Sequence, residues 1–140
     1  MEVQEMKGLE VQAPPRWSIL EAQKKLQLAL HESGKSSYPE HLPSTSVREL
    51  LHAVRFNMEA LNVEMVELLD HLPWKSWKTY SLDLDAPIPD DVRVEVAFEL
   101  IDALHFIMNI AIALGLTWEE CEAIYYTKHI ENLNRIGRGY

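Results

Sequence analysis

Residues 90–115 read DDVRVEVAFELIDALHFIMNIAIALG, and the period of that stretch decides the fold. Val94, Phe98, Ile101, Leu104, Met108, Ala111 and Ile112 recur at helical spacing, which at about 3.6 residues per turn gathers them on one face. Asp90 and Asp91 open the helix, where the positive end of its dipole favours carboxylates, and Gly115 closes it. Beside the apolar face runs a second stripe, Glu95, Glu99, Asp102 and Asn109, at offsets of four, seven and fourteen from its first member. Phe98, Ile101, Phe106 and Ile107 border that stripe, so its carboxylates are expected to be half buried, a costly arrangement unless a cation compensates.

The same period extends outward on both sides. Residues 17–32 carry Ile19, Leu20, Ala22, Leu26, Leu28, Ala29 and Leu30 at helical spacing, and Ser33-Gly34 stops them. Ser46-x-x-Glu49 is a capping-box pattern, in which each side chain satisfies the other residue's free N–H. The helix it opens runs through Leu50, Leu51, Val54, Leu61, Met65, Leu68 and Leu69 to Leu72, where Pro73 ends it. Residues 74–89 show no period and read as an ordered loop or short turns. Thr117-x-x-Glu120 is a second capping box, opening a last helix expected to reach about Asn134. With no strand pattern and no internal repeat, the expectation is an all-α bundle of four to five helices over residues 17–140, preceded by an arm of residues 1–16 that ends in Pro14-Pro15.

Two acidic pairs carry the chemistry. Glu64-x-x-Glu67 and Glu99-x-x-Asp102 each project two carboxylates from one face of a helix, and two facing helices would bring all four to one point. Such a group repels itself unless a cation holds it; all-oxygen ligands select a hard ion, Mg2+ or Mn2+, which in a cleft points to chemistry on a phosphate chain. A solvated acidic helix face would show the same residues, and Asp70, near the end of its helix, fits that description as well. Glu49-x-x-His52 and Asp102-x-x-His105 also echo the Glu-x-x-His pairs of di-iron bundles. His105, flanked by Leu104 and Phe106, reads rather as a hydrogen-bonded core histidine.

Composition narrows the class. A chain of 140 residues, 47% hydrophobic, is sized for one domain with a real core. A net charge of -9 and the lack of a basic stripe argue against duplex nucleic acid as a partner. Cys121 is the single cysteine and cannot form an internal disulfide; no signal peptide or run of about 18 apolar residues is evident, so the reading is a cytoplasmic protein without a membrane span.

At this point a family resemblance becomes specific. The segment VEMVELLDHLPWKSWK (residues 63–78), ELIDALHF (99–106) with Asn109, YTKHIENLNR (126–135) and the terminal Gly139-Tyr140 resemble the all-α NTP pyrophosphatase superfamily. The match is to its dimeric dUTPase branch, especially the phage dCTPase-dUTPases, and covers residues 18–140. The resemblance implies hydrolysis of a deoxynucleoside triphosphate to the monophosphate and pyrophosphate by a homodimer in the host cytoplasm. Glu64, Glu67, Glu99 and Asp102 match the family's Mg2+ ligands, with Glu64 or Glu67 also activating water. Lys128, Asn132 and Arg135, at offsets of four and seven on one helix face, match its phosphate-handling motif, joined by Tyr140 downstream and by Lys75 and Lys78, which with Trp74 and Trp77 would close over the phosphates.

Gln23 and Gln27, one turn apart, match the amides that read the base, with Asn57, Trp77 and Asn109 assigned to the same base and sugar pocket. An amide both donates and accepts, so it can pair with a pyrimidine edge. Dedicated dUTPases carry Asn at the second amide position, so Gln27 leaves dCTP open beside dUTP. The family's Arg-Gln is here Arg135-Ile136, and the chain is shorter than the long dimeric dUTPases. A MazG-like pyrophosphatase acting on dGTP or a modified nucleotide, and a non-catalytic helical metal-binding or interaction module, are the competing readings.

Overall fold

The computed structural model describes residues 5–6, 9–10, 15–36 and 38–139. Its order is β1 (Glu5–Met6), β2 (Leu9–Glu10), α1 (Ile19–Glu32), α2 (Val47–Asp70), α3 (Asp90–Ala113) and α4 (Trp118–Arg138). The expected all-α architecture is present, with four helices among the described residues. The one departure is a two-residue antiparallel ladder in the arm, pairing Glu5 with Glu10 and Met6 with Leu9.

Local capping sets most helix boundaries. Ser18 caps α1 in a full capping box with Glu21, a signal at the expected start, and α1 ends at Ser33 followed by Gly34 at φ +71°. The box expected at α2 is half formed: the Glu49 N–H donates to Ser46 Oγ at 3.2 Å, but the Glu49 carboxylate turns to Thr45, accepting from its N–H at 2.6 Å and its hydroxyl at 2.8 Å. Those bonds hold Glu49 below the ordinary carboxylate range. Helix α2 stops at Asp70, two residues before the expected Leu72, because His71 and Leu72 already bond in the tighter i−3 pattern ahead of Pro73. Thr117 and Glu120 form the complete box predicted for α4. That helix runs past the expected Asn134 to Arg138, taking in Gly137; Glu131 pairs with Arg135 at 3.4 Å and Arg138 at 2.8 Å along it, and the cap is Gly139 at φ +75°.

The chain groups into two compact units, one of residues 1–15 and 55–107, the other of 16–54 and 108–140. In the first, Ala103, in the middle of α3, is buried. In the second, Leu20 of α1 and Met108, Ala111, Ile112 and Ala113 of α3 form the core. The loop before α2 is tied to the end of α3 by the Ser44 N–H donating to the Ala113 carbonyl at 2.9 Å. There Gly115 sits at φ +73°, a backbone conformation that favours glycine, with Pro43 at ordinary contact distance, 3.4 Å, from where a Cβ would be.

Helix α1 inverts the expected amphipathicity. Its buried residues are Leu20, Gln23 and Gln27, whereas Ile19, Leu26 and Leu28 are exposed. Ile101, placed on the α3 core face by its period, is also exposed. Helix α3 is long and apolar enough to cross a bilayer by length and composition, although Glu99, Asp102, His105 and Asn109 interrupt it, so it is not an unbroken run of about 18 apolar residues. It also carries Glu95 and supplies most of the buried residues among those described.

Candidate active site

Three of the four carboxylates in the two acidic pairs come together. In the first unit, carboxylate oxygens of Glu64 and Glu67 on α2 and Glu99 on α3 lie within 4.8 Å of one another. Burial, followed by the like charges of Glu67, Asp102 and Glu99, pushes the Glu64 carboxyl above its ordinary value, and a hydrogen bond with Glu67 adds to the shift. Asp102 therefore acts on the group electrostatically while standing outside the tight set, on the more exposed side of α3. An all-oxygen set in which one member already resists ionisation is a fitting seat for a hard divalent cation.

A second group overlaps the first. His71 Nε2 lies 3.0 Å from Glu99 Oε1 and 3.8 Å from Glu95 Oε2, and these three residues also bring their ligand atoms within 4.8 Å. Sequence reasoning assigned no role to His71. The available signal was its offset, four beyond Glu67 and seven beyond Glu64, which continues the acidic face. The di-iron pattern is not assembled: Glu49 is engaged by Thr45, His52 stacks on Tyr38 at 4.0 Å, and His105 Nδ1 donates to the Ile101 carbonyl at 2.8 Å. His105 is thus hydrogen-bonded as expected, though half-buried rather than in the core. Asp70 accepts from Trp74 Nε1 at 3.0 Å and fastens the start of the following loop.

With the carboxylate group in place, comparison with known proteins becomes informative. A family described as dUTPase matches residues 17–117, a stretch containing both acidic pairs. The chain belongs to this dUTPase family. Its relatives include a dCTP pyrophosphatase of Enterobacteria phage T4, 28% identical over 144 residues that cover 90% of this chain and 82% of that protein. A dCTP pyrophosphatase of Enterobacteria phage LZ5 is 42% identical over 71 residues, 48% of this chain and 41% of that protein. A DNA replication protein of phage T4 is 28% identical over 138 residues, 86% of this chain but 34% of that longer protein. No solved structure matches the chain.

The remaining residues of this dUTPase-family chain fall into three places. In the loop after α2, Lys75 Nζ stands 5.4 Å from the Trp74 ring centroid, the Lys75 N–H donates to the Tyr80 hydroxyl at 3.4 Å, and Trp74 packs edge-on to the exposed Trp77 at 5.8 Å; Lys78 is exposed beside them. On α4, Lys128, Asn132 and Arg135 are exposed along one face, with Arg135 drawn to Glu131; Tyr140 lies outside the described residues. This helix lies beyond the stretch matched by the family. In the second unit, Gln23 Nε2 donates to Asn109 Oδ1 at 2.7 Å, both side chains buried, and Gln27, 6% exposed, has its Oε1 buried without a hydrogen-bond partner. Asn57 is buried on α2 in the first unit.

Proposed function

We propose that this chain hydrolyses a deoxynucleoside triphosphate, dUTP or dCTP, to the monophosphate and pyrophosphate. The observation that carries the reading is the convergence of Glu64, Glu67 and Glu99 within 4.8 Å on two helices of a dUTPase-family chain. Glu64, Glu67, Glu99 and Asp102 would hold Mg2+, with Mn2+ as a substitute, since both are hard ions that take oxygen ligands. A bound divalent ion makes water more acidic and offsets charge that builds on the α-phosphate and the departing pyrophosphate.

The chain's own groups supply the rest. Glu64, whose carboxyl is poised above its ordinary value, or its neighbour Glu67 takes the proton of the attacking water. Water adds to the α-phosphorus, the bond from that phosphorus to the bridging oxygen breaks, and pyrophosphate leaves with the electron pair. Lys75, Lys78, Lys128, Asn132, Arg135 and Tyr140 are assigned to the phosphates, Arg135 exchanging its Glu131 partner for one of them. Gln27 is assigned to the base: a buried acceptor without a partner costs about 1 to 3 kcal/mol, and a base N–H would relieve that cost. Asn109 fixes the Gln23 amide through their buried hydrogen bond, so its part in base reading is to aim Gln23. Asn57 and Trp77 complete the assigned base and sugar contacts.

A homodimer in the host cytoplasm completes the reading. Its support is the apolar surface that one chain leaves open, including Leu51, Phe56, Val63 and Val66 on α2 and Ile124, Ile130, Leu133 and Ile136 on α4. The deciding experiment measures pyrophosphate release from dUTP, dCTP, dTTP, dATP and dGTP with Mg2+, in 18O-water, with an EDTA control. Label in the monophosphate, pyrophosphate as co-product and loss of activity in EDTA are expected. Orthophosphate as product, or label in pyrophosphate, refutes the reaction class. Hydrolysis of dGTP alone selects the MazG-like alternative, and no hydrolysis at all selects a binding module.

A further inference from the structure

We propose that His71 is a positioning residue for the cation site, holding Glu99 so that one carboxylate oxygen is committed to the imidazole and the other is presented to the ion. The inference rests on the hydrolase reading for its purpose, but its geometry stands independently. His71 directly follows α2 and is fixed there by backbone bonds: its N–H donates to the Leu68 carbonyl at 3.3 Å, and the Leu72 N–H donates to the Leu69 carbonyl at 2.9 Å. The Trp74 indole, anchored on Asp70 at 3.0 Å, restrains the chain just beyond. From that point the ring reaches across to α3, where Nε2 donates to Glu99 Oε1 at 3.0 Å with Glu95 Oε2 behind it at 3.8 Å.

A carboxylate accepts only, so Nε2 carries the proton in this contact whether the ring is neutral or charged. Glu99 is the most enclosed of the three groups in this contact, its side chain 14% exposed against 32% for His71 and 40% for Glu95. A carboxylate so placed has little water to orient it, and its direction follows its protein partner. Glu99 is also the residue shared by the two ligand groups, so the imidazole acts on the one carboxylate that both contain. Loss of such an outer hydrogen bond typically weakens metal affinity about 10- to 100-fold.

The test compares His71→Phe, which keeps a ring without the donor, with His71→Gln, whose amide N–H can still reach Glu99. Mn2+ binding without nucleotide is followed by the electron paramagnetic resonance signal of the free ion, together with melting in EDTA and pyrophosphate release with Mg2+. The expected result for H71F is a dissociation constant for Mn2+ raised about 10- to 100-fold, with metal-free melting little changed and affinity largely restored in H71Q. His71→Asn, too short to reach Glu99, replaces H71F if that variant does not fold. Wild-type Mn2+ affinity in H71F or H71N, or altered metal-free melting alone, overturns the proposal. So does imidazole nitrogen coupling to bound Mn2+ in the wild type, which would make His71 a direct ligand. If the wild type releases no pyrophosphate while H71F still loses Mn2+, the hydrolase reading fails and the positioning role survives. If the wild type is an active pyrophosphatase and H71F binds Mn2+ as well as it does, only the positioning role fails.

Discussion

Substituting Glu64 by glutamine keeps the shape of the side chain and removes one negative charge from a group whose oxygens lie within 4.8 Å of one another. Two unit charges at that separation repel by about 0.9 kcal/mol in a water-like medium and by about 3.5 kcal/mol at an effective dielectric constant of about 20. Glu67 is exposed and Glu64 and Glu99 are half buried, so solvent and salt keep the repulsion near the lower figure. Relief from Glu67 and Glu99 together then amounts to about 2 kcal/mol, which for a chain of this length raises the metal-free melting temperature by about 5 to 10 °C. The gain depends on pH in a defined direction. Because the folded state raises the Glu64 pKa above its ordinary 4.5, the proton is held more tightly in the fold than in the unfolded chain. The wild type is therefore free of this cost below about pH 4.5 and bears it increasingly as pH rises through the raised folded value.

Melting curves in EDTA across pH 4 to 8 should accordingly converge for wild type and E64Q at the acid end and separate above it, the variant being the more stable. Saturating Mg2+ reverses the order, because ligand binding stabilises the wild type by about 2.7 kcal/mol at about 100 times the dissociation constant, whereas the variant has lost a ligand. Pyrophosphate release by E64Q should be abolished. A metal-free E64Q that melts below the wild type at neutral pH, or by the same margin at every pH, refutes the account of Glu64 as a charge held against its neighbours.

Two further substitutions test the other sites. Gln27→Asn shortens the buried amide whose Oε1 has no partner, so the ratio of kcat/KM for dUTP over dCTP should shift several-fold, matching about 0.5 to 1.5 kcal/mol for one hydrogen bond; equal effects on every nucleotide would remove Gln27 from base reading. Ile112→Ala truncates a side chain that is 0% exposed and should cost about 2 to 4 kcal/mol in urea unfolding with an unchanged slope, whereas a loss below about 1 kcal/mol would mean that the small core of the second unit is not anchored there.

The reach of the sequence differed between elements for identifiable reasons. All four helices, the box at Thr117 and the stop at Gly34 were legible because each depends on residues within about a turn of one another. The half-formed box at α2 was not, because Thr45 offers Glu49 a better pair of donors than the Ser46 N–H alone. The apolar letters of α1 misled for a different reason: its buried stripe is Leu20, Gln23 and Gln27, two of them polar, so a hydrophobic period points to the wrong face.

Within the acidic site, the sequence by itself determined that Glu64 shares a face with Glu67, and Glu99 with Asp102, since helical pitch fixes neighbours three residues apart. Only the tertiary structure decided which of these carboxylates meet across helices. Glu99 joins the α2 pair while Asp102 stands back from it, and His71, 28 residues from Glu99 in the chain, closes on its oxygen. It likewise decided that Gln23 meets Asn109 across 86 residues and that Gln27 is buried with an unmet acceptor. Period and capping are properties of one helix, set by bonds between near neighbours; a contact between two helices depends on how their faces pack, to which side chains far apart in the chain contribute together.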